Sequence, residues 1–314
     1  GDTAARAGRK NLIINGDNRI SQRGTYTSAL DFVHNSYLLD RWIAGKSGGS
    51  IDGTITHSSD TVNGAVCKTQ KYIVTTGHAG SWIGGRQILE FPETFIGRTL
   101  TVSAWVKSNS DDARILLWDV GSGTNTAIAT QAHTGGGAWE YLSSTGTVMA
   151  GTTGLTLYMA TLSATAAAVT TSTGDYIEFT NVQIELGSVA TDFEHRSYGE
   201  ELALCQRYYF DYGYAAGADT VRFNPAAATA ASAKFQMNLQ FPVGMRAAPT
   251  VTVSSNGNAD GVLTTLNSNG NGRLASSWAG AADTTANYCT IFCVDDNDTV
   301  KTGFRGYFKA DAEL

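Results

Sequence analysis

Residues 45–49 read GKSGG, which fits G-x-S-x-G, the spacing that in a nucleophile elbow presents a serine for acyl transfer. That chemistry needs a strand before the serine, a helix after it and an α/β sheet. Here GGSIDGTITHS continues as loop and strand, so the match is read as chance. The same GKS is no phosphate loop, because Asp40 stands where the first glycine is required. No HExxH, EF-hand loop or GxGxxG fingerprint is present. His34, His57, His78, His133 and His195 are scattered singly, and Cys67, Cys205, Cys289 and Cys293 form no CxxC. On one strand, Cys289 and Cys293 would lie ~13 Å apart at roughly 3.3 Å per residue, too far for a disulfide. Four free, mostly buried thiols fit assembly in a reducing cytoplasm. Glu194, Glu200 and Glu201 stand close in sequence but are read as structural charges rather than a catalytic pair.

The remaining chemistry is that of flat aromatic faces, which stack on the apolar side of a sugar ring while amides and carboxylates fix its hydroxyls. Six Trp are available. Trp105 lies opposite the apolar parity of its strand, between Ser103 and Lys107. Trp82 and Trp139 sit among Gly and Ser in HAGSWIGG and TGGGAWEY, read as loops. These three are the candidate binding residues; the alternative is that each closes one end of a sandwich core. Trp42 is assigned to the core.

The elements that must carry these rings are short strands. The chain has 314 residues, 42% hydrophobic and only 16% charged, with 35 Gly and 4 Pro, a composition suited to strands joined by Gly/Asn/Ser turns. NLIINGDNRISQRG places an apolar strand against an Asn15-Gly16 turn. TLTVSAWVKSN alternates, with Leu100, Val102, Ala104 and Val106 on one face. In DYIEFTNVQIEL the apolar parity changes between Phe179 and Val182, which predicts a β-bulge near Thr180-Asn181. Ser197 and Glu200 form a capping box that opens a short helix with Leu202, Cys205 and Tyr209 on one side. The expected fold is all-β, with two antiparallel β-sandwich, jelly-roll-like domains joined by that helix. A flexible arm spans 1–10, the first domain 11–196, the helical joint 197–206 and the second domain 207–314.

A net charge of −6 and no basic run longer than Arg9-Lys10 argue against a nucleic-acid partner. No run of eighteen or so apolar residues appears and GDTAARAGRK has no apolar signal-peptide core, so no membrane address is visible; the chain starts at Gly rather than Met and is open to being a fragment of something longer.

In order and spacing, NLIINGDNRISQRG, SYLLDRW, SAWVKSN, FTNVQIELGSVATDFEHRSYGEELALCQRYY and FPVGMRAAPTVTVSS resemble modules common in bacteriophage tail-fibre and related virion surface proteins. There a carbohydrate-binding-module-like jelly roll precedes a short helix and a second β domain. The resemblance covers most of residues 11–255. It implies a virion-surface protein assembled in the host cytoplasm, usually a homotrimer and not an enzyme, that attaches to host surface polysaccharide and contacts other virion proteins. It also implies that the only cofactor to consider is a structural calcium, for which Asp17 and Asp40 are the candidate ligands. Two other readings stay open. One is a head-fibre, decoration or tail-adjacent component whose main ligand is another virion protein. The other is a polysaccharide depolymerase using a carboxylate pair.

Overall fold

The computed structural model describes residues 9–48, 50–121, 125–212, 221–223, 233–254, 264–267, 272–274, 278–282, 284–295 and 301–314. Residues 1–8, most of the expected arm, lie outside them. The chain divides into two units, the first comprising residues 1–21 and 25–198 and the second 22–24 and 199–314. All sheet pairing is antiparallel and the fold is all-β apart from short helical segments.

The first unit contains β1 (Leu30–Asp31), β2 (Ser36–Tyr37), β3 (Ile43–Ser47), β4 (Asp52–Val62), β5 (Ala65–Thr76), β6 (Trp82–Ile88), β7 (Thr99–Ser108), β8 (Ala113–Gly121), β9 (Asn125–Ala132), β10 (Trp139–Thr147), β11 (Thr152–Thr161) and β12 (Tyr176–Leu186). One six-stranded sheet runs β1-β4-β5-β12-β7-β10 and the other β2-β3-β6-β11-β8-β9. Consecutive strands repeatedly cross between sheets, and the two inner faces share one core that includes Val102, Ala104 and Ile184 from the first sheet and Ile115, Leu157 and Met159 from the second. Removing each of the larger of these side chains from water contributes about 1.5–3 kcal/mol. Leu100, Val102, Ala104 and Val106 are all 0% exposed, as the alternation of β7 requires, and Trp42 is in the core with its indole N–H donating to the Asn15 carbonyl (2.9 Å).

The expected bulge is present. Thr180 pairs with Trp105 but Gln183 with Ser103, so β12 carries one extra residue there, and Asn181 adopts φ 50°. The expected strand at 11–14 is not a regular one, because side-chain amides supply the bonds a ladder would. Asn11 Nδ2 donates to the Val182 carbonyl (3.0 Å) while its Oδ1 accepts from the Ile13 and Ile184 amides. Asn15 Nδ2 donates to the Ile20 and Asp40 carbonyls, and Asn18 Nδ2 to the Phe179 carbonyl (2.9 Å). Gln70 Nε2 donates in turn to Asn18 Oδ1. Gly16 is pressed against β12: its carbonyl accepts from the Val182 amide, and a Cβ there would lie 2.1 Å from the Val182 oxygen.

The segment after β12 locks the same region from outside. Glu194 accepts from the amides of Lys10 (3.1 Å) and Asn11 (2.9 Å) and from Arg196, whose guanidinium also reaches the carbonyls of Ile13 and Asn11. Burial raises the Glu194 pKa, but these donors outweigh it and hold the carboxyl below its ordinary value.

The helix α1 (Tyr198–Gln206) begins one residue after Ser197, where the capping box placed it. Its buried positions are Glu201 and Cys205. Leu202 is only half-buried, so the buried face is rotated from the expected one, and it includes Glu201.

The second unit contains β13 (Tyr209–Tyr212), β14 (Val221–Phe223), β15 (Ala233–Gln240), β16 (Thr250–Ser254), β17 (Thr264–Asn267), β18 (Gly272–Leu274), β19 (Trp278–Ala282), β20 (Tyr288–Asp295) and β21 (Lys301–Asp311). One sheet runs β13-β21-β17-β18 with β14 and β16 also on β21; the other runs β15-β20-β19. In FPVGMR, Phe241 and Met245 are buried in this unit's core, and Arg246 donates to the carbonyls of Ala312 (3.0 Å) and Glu313 (3.1 Å). Residues 22–24 complete this unit from far upstream. Arg23 lies 3.6 Å from the Tyr209 ring centroid and pairs with Asp311 and Glu313, and Gln22 Nε2 donates to the Tyr209 carbonyl.

Three substitutions have consequences for stability. Asn18→Ala leaves buried partners on β12 and Gln70 unsatisfied and should cost about 2 kcal/mol, a Tm decrease of roughly 4–8 °C by calorimetry. Gly16→Ala, which drives a methyl into backbone, should cost more. Glu194 has a depressed folded-state pKa, so its contribution is present above the ordinary carboxylate range and is lost as pH falls through the depressed value. Glu194→Gln should therefore lower Tm at pH 7, and the gap to wild type should close below about pH 4.

Candidate functional site

In the second sheet the inward positions are taken by Ala44, Ile83, Leu157, Met159, Ile115 and Leu117. The outward positions should then be polar, as on a solvated antiparallel face. They are not. Ile43, Leu116 and Ala160 are 3%, 0% and 0% exposed, and Trp82, Trp118 and Tyr158 are half-buried among them. The cause is legible in β8, where the run Ile115-Leu116-Leu117-Trp118 is apolar on both parities.

The register sets out this face in rows. Gly45 of β3 pairs with Gly84 of β6, which pairs with Ala160 of β11 and so with Arg114 of β8. The next row is Ile43, Arg86, Tyr158, Leu116 and Thr130. The third is Ile88, Thr156, Trp118 and Ala127. Gly45, Gly84 and Ala160 make a floor almost without side chains, and Trp82 lies on it: a Cβ at Gly45 would come within 2.3 Å of the indole Cη2. Two rings stand edge-on to that indole, His34 at 5.9 Å and 78° and Tyr158 at 5.8 Å and 83°. From β6 to β8 is about 10 Å at the usual strand spacing, the width of a disaccharide.

The polar groups at this face are few and fixed. Arg86 donates to Asn35 Oδ1 (2.8 Å) and to the Tyr158 hydroxyl (3.3 Å), and its Nε finds no acceptor among the described residues. No carboxylate pairs with it among them. His34 Nδ1 accepts from the Lys46 amide (3.2 Å). Burial, and then the Arg86 charge, hold His34 below its ordinary value of 6.5, so at pH 7 it is a neutral ring. Such a surface, flat and apolar with an oriented guanidinium and amide at its edge, can stack a pyranose and hydrogen-bond its hydroxyls or carboxylate.

Trp105 and Trp139 are on the opposite sheet from Trp82. Trp105 faces outward beside Tyr141, its register partner (centroids 5.5 Å apart). Trp139 donates its indole N–H to Asp60 (3.1 Å), which also holds Lys107 (2.9 Å). Trp82 and Trp139 are the first residues of β6 and β10 rather than loop residues. Ser47 of GKSGG ends β3 with no helix after it, and Gly45 of that motif is the floor under Trp82. Asp17 is ion-paired with Arg19, and the Asp40 carbonyl accepts from Asn15. Among the described residues no three His, Cys, Asp or Glu converge as metal ligands. The sequence reasoning passed over Tyr158, Trp118 and Arg86. Tyr158 and Trp118 could have been found from an aromatic set against the apolar parity of LTLYMAT and from the unbroken ILLW.

No family model matches the chain, and no curated protein matches it. Among solved structures it is similar to the enzymatically active domain of bacteriophage CBA120 tailspike protein 4 (15% identity, TM-score 0.37, 56% of this chain and 21% of that one). It is also similar to the CBM22-1-GH10 modules of Clostridium thermocellum xylanase 10B (19%, 0.33, 55% and 30%) and to the CBM22-1 xylan-binding domain of Paenibacillus barcinonensis Xyn10C (15%, 0.32, 53% and 99%). The chain thus spans under a third of the first two.

Gly45→Ala should lift the indole of Trp82 from the sheet while costing at most about 1 kcal/mol of stability. Fluorescence, taken as the difference from the same substitution in a Trp82→Phe background, should show a red-shifted Trp82. An unshifted emission would mean the ring does not depend on the glycine floor.

Proposed function

We propose that the chain is a non-enzymatic polysaccharide-binding protein of a virion surface, of the tail-fibre or receptor-binding type, and that the outer face of the second sheet of its first unit holds the glycan. The observation that carries this reading is the Trp82 indole seated over Gly45, flanked by Tyr158 and His34, with Trp118 on the same face and Arg86 lacking a carboxylate partner among the described residues. A solvated sheet face gains nothing in stability from exposing rings, whereas a sugar covering them removes apolar surface from water. The virion setting rests on the sequence resemblance. Attachment would be shallow at each site and strengthened by a homotrimer presenting three copies of the face, since linked weak sites gain avidity without a deep pocket.

The test is binding of labelled protein to intact cells of a bacterial panel, each strain with and without its capsule or lipopolysaccharide. Binding should vanish with the polysaccharide, and Trp82→Ala should weaken it by about tenfold or more per site. Binding indifferent to both would remove the face, and binding absent across a panel containing the host would turn the reading toward a component whose ligand is another virion protein.

A further inference from the structure

The outer face of the first sheet carries a groove of about 280 Å³. Its aromatic lining is Trp105, Tyr141 and Phe193, and its polar lining includes Asn63, Asn181 and Asp192. Tyr141 is 44% exposed, on a face whose neighbouring outward positions in β7 and β10 are Thr101, Ser103, Ser143 and Thr145. A half-exposed ring pair in a field of hydroxyls is not core packing, and the two rings are tilted by 56° to each other.

Both asparagines hold backbone conformations that L-residues adopt at a cost of about 1–2 kcal/mol. Asn63 (φ 47°) turns the β4–β5 hairpin, and Asn181 (φ 50°) is the extra residue of the β12 bulge. A bulge takes its residue out of the ladder and re-aims the side chain, and here that residue lines the groove. Asp192 is the one ionisable residue of the lining besides the Tyr141 phenol; Lys107 of β7 is already held by Asp60, and the Lys10 ammonium donates to the Asp192 carbonyl. Three rings, two amides and one carboxylate suit a ring with hydroxyls to donate, and they repel a uronate or sulfate.

We propose that this groove is a second glycan site, separate from the Trp82 face and on the opposite sheet, that takes one uncharged pyranose of a polysaccharide, stacked on Trp105 and Tyr141 with its hydroxyls donating to Asp192 and bonding the amides of Asn63 and Asn181.

The test uses the full chain carrying Trp82→Ala, so that the other face is weakened, titrated calorimetrically with neutral oligosaccharides (cellohexaose, xylohexaose, mannohexaose) and with anionic hexagalacturonate. At least one neutral oligosaccharide should bind, and Tyr141→Ala or Asp192→Asn should weaken it by about tenfold. Hexagalacturonate should not bind. Tyr141 and Asp192 are exposed, so these variants should fold; an unchanged Tm verifies it, and Trp105→Phe retains a ring if Trp105→Ala does not fold. No neutral binding in the Trp82→Ala chain, neutral binding indifferent to Tyr141 and Asp192, or self-association that Tyr141→Ala abolishes would each overturn the proposal. Because every arm lacks Trp82, the result is independent of whether the Trp82 face binds cells.

Discussion

The first unit depends on how β12 is satisfied. This strand lies between β5 and β7 in one sheet, and at 180–183 it carries a residue too many. An extra residue inside a sheet breaks the ladder and strands buried backbone groups, each costing about 1–3 kcal/mol if left unmet. The amino-terminal segment meets them. Gly16 comes close enough to accept from Val182, Asn11 reaches the Val182 carbonyl and the Ile184 amide, and Asn18 reaches Phe179. The asparagines of NLIINGDNRI therefore act as a movable piece of β-ladder, with side-chain amides doing what a strand cannot do beside a bulge.

The two outer faces of the sandwich inherit opposite characters from local choices. On one sheet, glycine at 45 and 84 and alanine at 160 let rings lie down, and the unbroken apolar run of β8 fills the space between them. On the other, alternation is strict, the outward residues are mostly small hydroxyls, and aromatic surface is confined to a few positions beside the bulge. One face is broad with guanidinium at its edge, the other narrow with a carboxylate. The β12 bulge thus serves the fold and also places Asn181.

Much of this was legible locally. The alternation of TLTVSAWVKSN set the inner and outer faces of β7, and the parity change between Phe179 and Val182 located the bulge. Trp42 in the core and the helix start after Ser197 also followed from short-range patterns. What escaped was set by partners distant in sequence. Whether Gly45 is a turn or a floor depends on Trp82, whose ring reaches it only across a sheet. The strand expected at 11–14 gave way to side-chain bonds with residues some 170 positions away, which no window of sequence contains. Glu201 is one of the acidic residues of the first helical turn, and its burial is set by tertiary packing that no local pattern contains.

The second unit takes Arg23 from within the first unit's stretch of sequence, stacked on Tyr209 and bridging to Asp311 and Glu313. The linear boundary near residue 198 is therefore not a clean seam. A gene exchange that swaps everything upstream of the helix for another module would remove the arginine that Asp311, Glu313 and the Tyr209 ring hold in this chain. Shuffling of such modules would be constrained to donors that carry a cation at the same early position, so residues 22–24 form a short compatibility tag written far from the domain it serves.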